Sequence, residues 1–131
     1  MSPEPTPPSP ALRPLGSYSP VRVVPMGSAS LAFVSGLTAG GQAPDDAAAQ
    51  AQLIFARMDE LLAEAGAGLA QVVKITTFLT DMGDYEAYNA VRNRVFAAVS
   101  PPPASSTVGT SALPRPGCRV EIEAVAVIPA R

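Results

Sequence analysis

Glu121 and Glu123 lie two residues apart in an apolar run near the end of the chain, two carboxylates among those available for acid–base work. No histidine occurs anywhere. Ser-His-Asp and Cys-His arrangements and histidine-based zinc sites are therefore excluded. The single cysteine, Cys118, has no base beside it in sequence and reads as a small turn residue. Gly40-Gly41 has neither the spacing nor the lysine of a phosphate-cradling loop. With a net charge of −2 and no basic run, the chain lacks the electrostatic footprint of a nucleic-acid binder. Acid–base chemistry falls to carboxylates and water. For Glu121 a surface or interface salt bridge stays open as a second reading.

The elements that must position these groups follow from periodicity. Residues 18–24 mix aromatic and β-branched side chains and stop at Pro25, which predicts an edge strand. Met26-Gly27-Ser28 is a hairpin turn leading into a second strand over 30–37. Asp45 and Asp46 stand where a helix N-terminus favours a cap and negative charge. Ala47, Ala51, Ile54, Met58, Leu61 and Ala65 then recur at helical spacing, with Gln50, Arg57, Glu60 and Glu64 on the other side and Gly66 as the stop. A strand over 72–80 places Val73, Ile75, Thr77 and Leu79 on one face and Val72, Lys74, Thr76 and Phe78 on the other. Asp84 is expected to cap a second helix with the stripe Tyr88, Val91, Val95 and Val99, closed by Pro101-Pro102-Pro103. Strands over 105–113 and 120–128 complete the order β-β-α-β-α-β-β. In the last, Val120, Ile122, Ala124, Ala126 and Ile128 alternate with Glu121, Glu123, Val125 and Val127. This is an α+β architecture, two helices packed on one face of a mixed sheet.

At 131 residues the chain fits one domain, over 15–131, behind a proline-rich tail over 1–14 that is expected to be disordered. No apolar run approaches the roughly 20 residues of a membrane helix. One cysteine suits a reducing, cytoplasmic setting. Charged residues are only 15 % and apolar ones 47 %, which favours burial of some exterior against further copies of the chain. The Glu/Val face of the last strand is too apolar for open solvent and too charged for an ordinary core. An intersubunit surface with carboxylates at its margin accounts for that mixture better than a half-solvated face does.

Val34-Ser35-Gly36, Ala63-Glu64-Ala65-Gly66-Ala67, Val72-Val73-Lys74-Ile75-Thr76, Thr80-Asp81-Met82, Asp84-Tyr85, Asn89 and Phe96 occur in an order and spacing that resemble the RidA/YjgF family. Residues 103–109, Leu113-Pro114 and 120–124 continue the likeness, which covers 16–128. The resemblance implies a chorismate-mutase-like homotrimer with small-molecule clefts between subunits, without membrane or nucleic-acid partners. It also implies hydrolysis of enamines or imines such as 2-aminoacrylate to a keto acid and ammonia, with no metal or organic cofactor. Imine hydrolysis suits this toolkit, because a protonated imine is already electrophilic and needs little beyond a placed water and a carboxylate.

Carried over by position, Glu121 and the backbone carbonyl of Thr107 would hold the attacking water, while Tyr18 and Gly36 would line the cleft. For Tyr18 an ordinary edge-strand aromatic is a second reading, and Asn89 matches an asparagine of more structural than catalytic character. Two positions depart from the pattern: Ser105 stands where the family's carboxylate-gripping arginine belongs, and Leu37 replaces a frequent glutamine. Ser105, Thr107 and Ser111 share one strand face and would offer hydroxyls there; Arg22, Arg115 and Arg119 are candidate replacement cations. The expected substrate therefore differs from 2-aminoacrylate, and Ser105→Arg is expected to restore part of that activity. A non-catalytic trimer that binds a metabolite or has a regulatory role is the alternative. A ribonuclease, an activity attached to the family's name, is disfavoured by the missing histidine, basic patch and stacking platform.

Overall fold

Five strands and two helices form the body of the computed structural model, which describes residues 16–130. The proline-rich tail over 1–14 lies outside the described residues. The strands are β1 (Val21–Met26), β2 (Ala29–Leu37), β3 (Val72–Leu79), β4 (Ala104–Gly109) and β5 (Val120–Pro129). The helices are α1 (Ala47–Glu64) and α2 (Tyr85–Val95), and both pack on one face of the sheet. The sheet order is β1-β2-β5-β3-β4. Only β3 and β4 run parallel, joined through α2, so the sheet is mixed as the element order predicted.

Local signals account for most boundaries. Gly27 takes φ 73° in the two-residue turn between Met26 and Ala29, where a left-handed residue matches the twist of the hairpin. Asp46 caps α1 by accepting from the Ala49 N–H at 3.1 Å, and Gly66 ends the helix at φ 84°. The buried face of β5 carries Val120, Ile122, Ala124 and Ala126, packed with Ala32, Val34, Ile75 and Leu79 beneath Ile54, Phe55, Met58 and Leu62 of α1. Phe55 meets Phe96 edge to face at 5.5 Å between ring centres, locking the end of α2 onto α1.

Several expectations are corrected. β1 begins at Val21, not Tyr18, because the Tyr18 N–H turns back onto the Gly16 carbonyl at 2.9 Å. β1 also continues through Pro25, which an edge strand tolerates. A register shift between Val72 and Lys74 exchanges the first two residues of β3: Val72 is buried and Val73 is exposed. Asp84 occupies the N-cap position of α2 without capping it; its carboxylate binds Arg119 at 2.9 Å instead. The α2 helix stops at Val95, and Phe96 and Val99 follow as a turn with Val99 N–H donating to the Phe96 carbonyl. β4 ends at Gly109 rather than Leu113, because its only partner, β3, ends opposite it at Leu79. Ser111 thus leaves the strand and no longer shares a face with Ser105 and Thr107.

Gln50 is the largest departure. It does not decorate the solvent side of α1 but is fully buried. Its side-chain amide donates to the carbonyls of Pro44 at 2.7 Å and Gly117 at 3.0 Å, and its oxygen accepts from the Arg119 N–H at 2.7 Å. One side chain thereby ties two loops to the start of β5, which fixes where Val120 and Glu121 enter the sheet.

Candidate functional site

The site begins at a register shift. β2 and β5 pair regularly from Ala29 to Val34, then slip before Leu37 meets Ile122. Gly36 sits in the slip, and the Glu121 carboxylate lies directly over it. A Cβ built at Gly36 would fall 2.9 Å from both Cδ and Oε2 of Glu121. Glycine permits this closeness; its backbone conformation does not call for it. Burial, and after it the neighbouring Glu123, pushes the Glu121 carboxyl above the usual carboxylate range. A carboxylate with raised proton affinity is a better base near neutral pH than an exposed one.

Around Glu121 the sheet face away from the helices mixes large apolar side chains with Glu123, Lys74 and Thr76. Phe78 stands opposite Glu121 on β3, and Val108 opposite Phe78 on β4. Phe33 and Leu31 of β2 oppose Val125 and Val127 of β5. Phe33, Val108 and Val127 are each more than a third exposed in the single chain.

A second cluster forms on the helix side of β4. Ser105 Oγ accepts from Nη1 of Arg92 at 3.2 Å. Arg92 also donates through Nη2 to Asn89 Oδ1, and its guanidinium carbon lies 5.7 Å from the centre of the Tyr88 ring. Tyr88 is fully buried and shares a 2.5 Å hydrogen bond with Thr77, which holds the ring under the guanidinium. Arg92, Asn93, Phe96, Val99, Pro103 and Ser105 line an adjoining cleft of about 530 Å³.

The expected site residues therefore fall into separate groups within one chain. Gly36 and Glu121 touch. Asn89 and Ser105 are joined through Arg92. Thr107 pairs with Thr77 on β3, two strands from Glu121, a separation of about 10 Å. Tyr18 is half exposed in the turn ahead of β1, at the opposite edge of the sheet from β4. Leu37 is buried in the core against the helices.

The candidate cations resolve differently from the sequence reading. Arg119 is held by Asp84 at 2.9 Å and by Asp45 at 3.5 Å. Arg115 lines another cleft with Gly40, Gly41 and Arg57, and Arg22 lies on the far edge strand β1. The residue that meets Ser105 is Arg92, which the sequence reading passed over. Its position is off the apolar stripe of α2 and reads as solvated; its spacing from Tyr88 and Asn89 was the available signal.

Comparison with known proteins places this architecture. Residues 9–128 match the family described as Endoribonuclease L-PSP. The chain is similar to protein DfrA of Myxococcus xanthus, 39 % identical over 79 % of this chain and 70 % of that protein. A 2-iminobutanoate/2-iminopropanoate deaminase of Dermatophagoides farinae is 40 % identical over 60 % of this chain. That alignment spans 59 % of the deaminase's own length, less than two thirds of it. Among solved structures, a Mycobacterium tuberculosis member of the YjgF/YER057c/UK114 family superposes with a TM-score of 0.72 at 36 % identity, covering 85 % of this chain and 86 % of that one. The order of elements, the sheet topology and these likenesses agree, and the chain belongs to the RidA/YjgF family.

Proposed function

We propose that the chain is a cofactor-free hydrolase of small enamines or imines, working in clefts between the subunits of a cytoplasmic homotrimer. The observation that carries this reading is the Glu121 carboxylate packed on Gly36, half-buried and with raised proton affinity. In the proposed reaction Glu121 takes a proton from water as the oxygen attacks the carbon of the protonated imine. The resulting carbinolamine takes that proton on nitrogen and expels ammonia as Glu121 removes its hydroxyl proton, leaving a carbonyl. Glu121 then passes this proton to the departing ammonia, which leaves as ammonium. Thr107 contributes its backbone carbonyl to hold the water, and Tyr18 closes the cleft.

The separation of these groups supports the trimer. In one chain Thr107 lies two strands from Glu121, while Tyr18 precedes Ser19, whose carbonyl accepts from Ser35 Oγ beside Gly36, and the face around Glu121 is uncovered by helices. A neighbouring copy laid across that face would cover it and bring its own β4 edge or β1 turn to Glu121. The substrate is proposed to differ from 2-aminoacrylate, because the cation near Ser105 comes from α2 rather than from β4.

A screen of imines and enamines generated in situ by an amino-acid oxidase or a lyase tests the reading, with ammonia release as the signal. Acceleration of at least one imine, with 2-aminoacrylate a poor substrate, is the expected result. Ligand binding with no acceleration across the series would favour a non-catalytic metabolite-binding trimer.

A further inference from the structure

We propose that Arg92 is the anion-binding and specificity-determining residue of the cleft beside β4, with Ser105 and Asn89 as the residues that position it. This deepens the hydrolase reading and rests on it for the class of ligand.

Three neutral oxygens orient the guanidinium: Ser105 Oγ at 3.2 Å, Asn89 Oδ1, and Asn93 Oδ1 at 3.4 Å. The Tyr88 ring supports it from below. Among the described residues Arg92 makes no ion pair, since the only salt bridges are those of Arg119. A guanidinium carries five N–H donors, so donors remain for a ligand after its three hydrogen bonds.

This differs from an ordinary solvated arginine. The group is half-buried, held by three hydrogen bonds and left without an acidic partner, so part of the loss of side-chain freedom is met before a ligand arrives. The adjoining cleft of about 530 Å³ has apolar walls in Phe96, Val99 and Pro103. A cation at one end and apolar walls beyond it fit a small carboxylate with an aliphatic body, such as a 2-imino acid or its 2-keto acid product. The guanidinium charge, with the N–H groups left on Nε and Nη1, would select that anion over a neutral isostere.

The test uses the assembled full-length protein and two stable probes, 2-oxobutanoate and its neutral amide, titrated by calorimetry. The wild type should bind the acid about tenfold or more tightly than the amide. Arg92→Gln should erase that preference by weakening acid binding far more than amide binding, and should raise KM for 2-iminobutanoate more than it lowers kcat. Ser105→Ala should weaken acid binding several-fold, with recovery in Ser105→Thr, which a purely structural role would not produce. Should Arg92→Gln fail to fold, Arg92→Lys carries the test: a point charge replaces the fork, and acid affinity should fall several-fold. Equal affinity of the wild type for acid and amide, or an unchanged preference in the Arg92 variants, overturns the proposal. Acid-selective binding without imine turnover would leave the anchor standing and remove the hydrolase reading. Turnover indifferent to Arg92→Gln would do the reverse.

Discussion

At the scale of single residues, the contact between Gly36 and Glu121 separates activity from stability. In Gly36→Ala the new methyl group would meet a movable carboxylate rather than backbone. Stability should fall by no more than about 1 kcal/mol, since the side chain can swing aside. Activity should fall about a hundredfold, because a base displaced by an ångström no longer meets its water. Thermal melts and imine kinetics on the same preparation check both halves. Glu121 also gives a pH prediction. Its carboxyl lies above the ordinary value of 4.5, chiefly through burial, so the folded protein holds that proton more tightly than the unfolded chain does. The associated stability is complete below pH 4.5 and is lost as pH rises through the folded value. Glu121→Gln should therefore melt higher than wild type at neutral pH, with the difference closing in acid. Melting curves across that range that run parallel would contradict it. Glu121 and Gly36 were legible because strand alternation and a short motif fix them. Arg92 was not, since an arginine off a helix's apolar stripe looks the same whether it meets solvent or a neighbouring strand.

At the scale of elements, periodicity found every strand and both helices but not where pairing slips or stops. The β3 register shift that turns Val73 outward depends on β5, and the end of β4 depends on the end of β3. Neither is written in the segment itself. Gln50 shows the same limit: a polar residue one position from the apolar stripe is buried because Pro44 nearby and the sequence-distant 117–119 segment offer it carbonyl and N–H partners. Gln50→Leu keeps the volume but leaves those backbone groups unpaired. It should lose about 2–4 kcal/mol in urea unfolding, with the slope unchanged. A loss below about 0.5 kcal/mol would mean that water replaces the side chain there. Because the Gly117 loop it ties leads into β5, the variant should also lower activity without touching the reacting groups.

For the molecule as a whole, the helix-free sheet face connects fold to function. It joins Phe33, Val125, Phe78 and Val108 to the two carboxylates of β5, a composition that predicts a covering copy of the chain. Native mass spectrometry should show a trimer at micromolar concentration. Phe33→Glu, which puts a charge at the centre of that face, should shift the population to monomer while circular dichroism keeps its helical signal. The sequence made the mixed character of this face readable from the alternation of β5. What it could not convey is that Glu121 and Gly36 on one side, and Ser105 and Asn89 on the other, form separate groups within one chain. The most direct test of the account is ammonia release from 2-iminobutanoate generated in situ, measured with wild-type and Glu121→Gln proteins matched for assembly. The account predicts clear acceleration by the wild-type trimer and a loss of about 10²- to 10⁴-fold in the variant. No acceleration by an assembled wild-type protein, or undiminished turnover by Glu121→Gln, would contradict it.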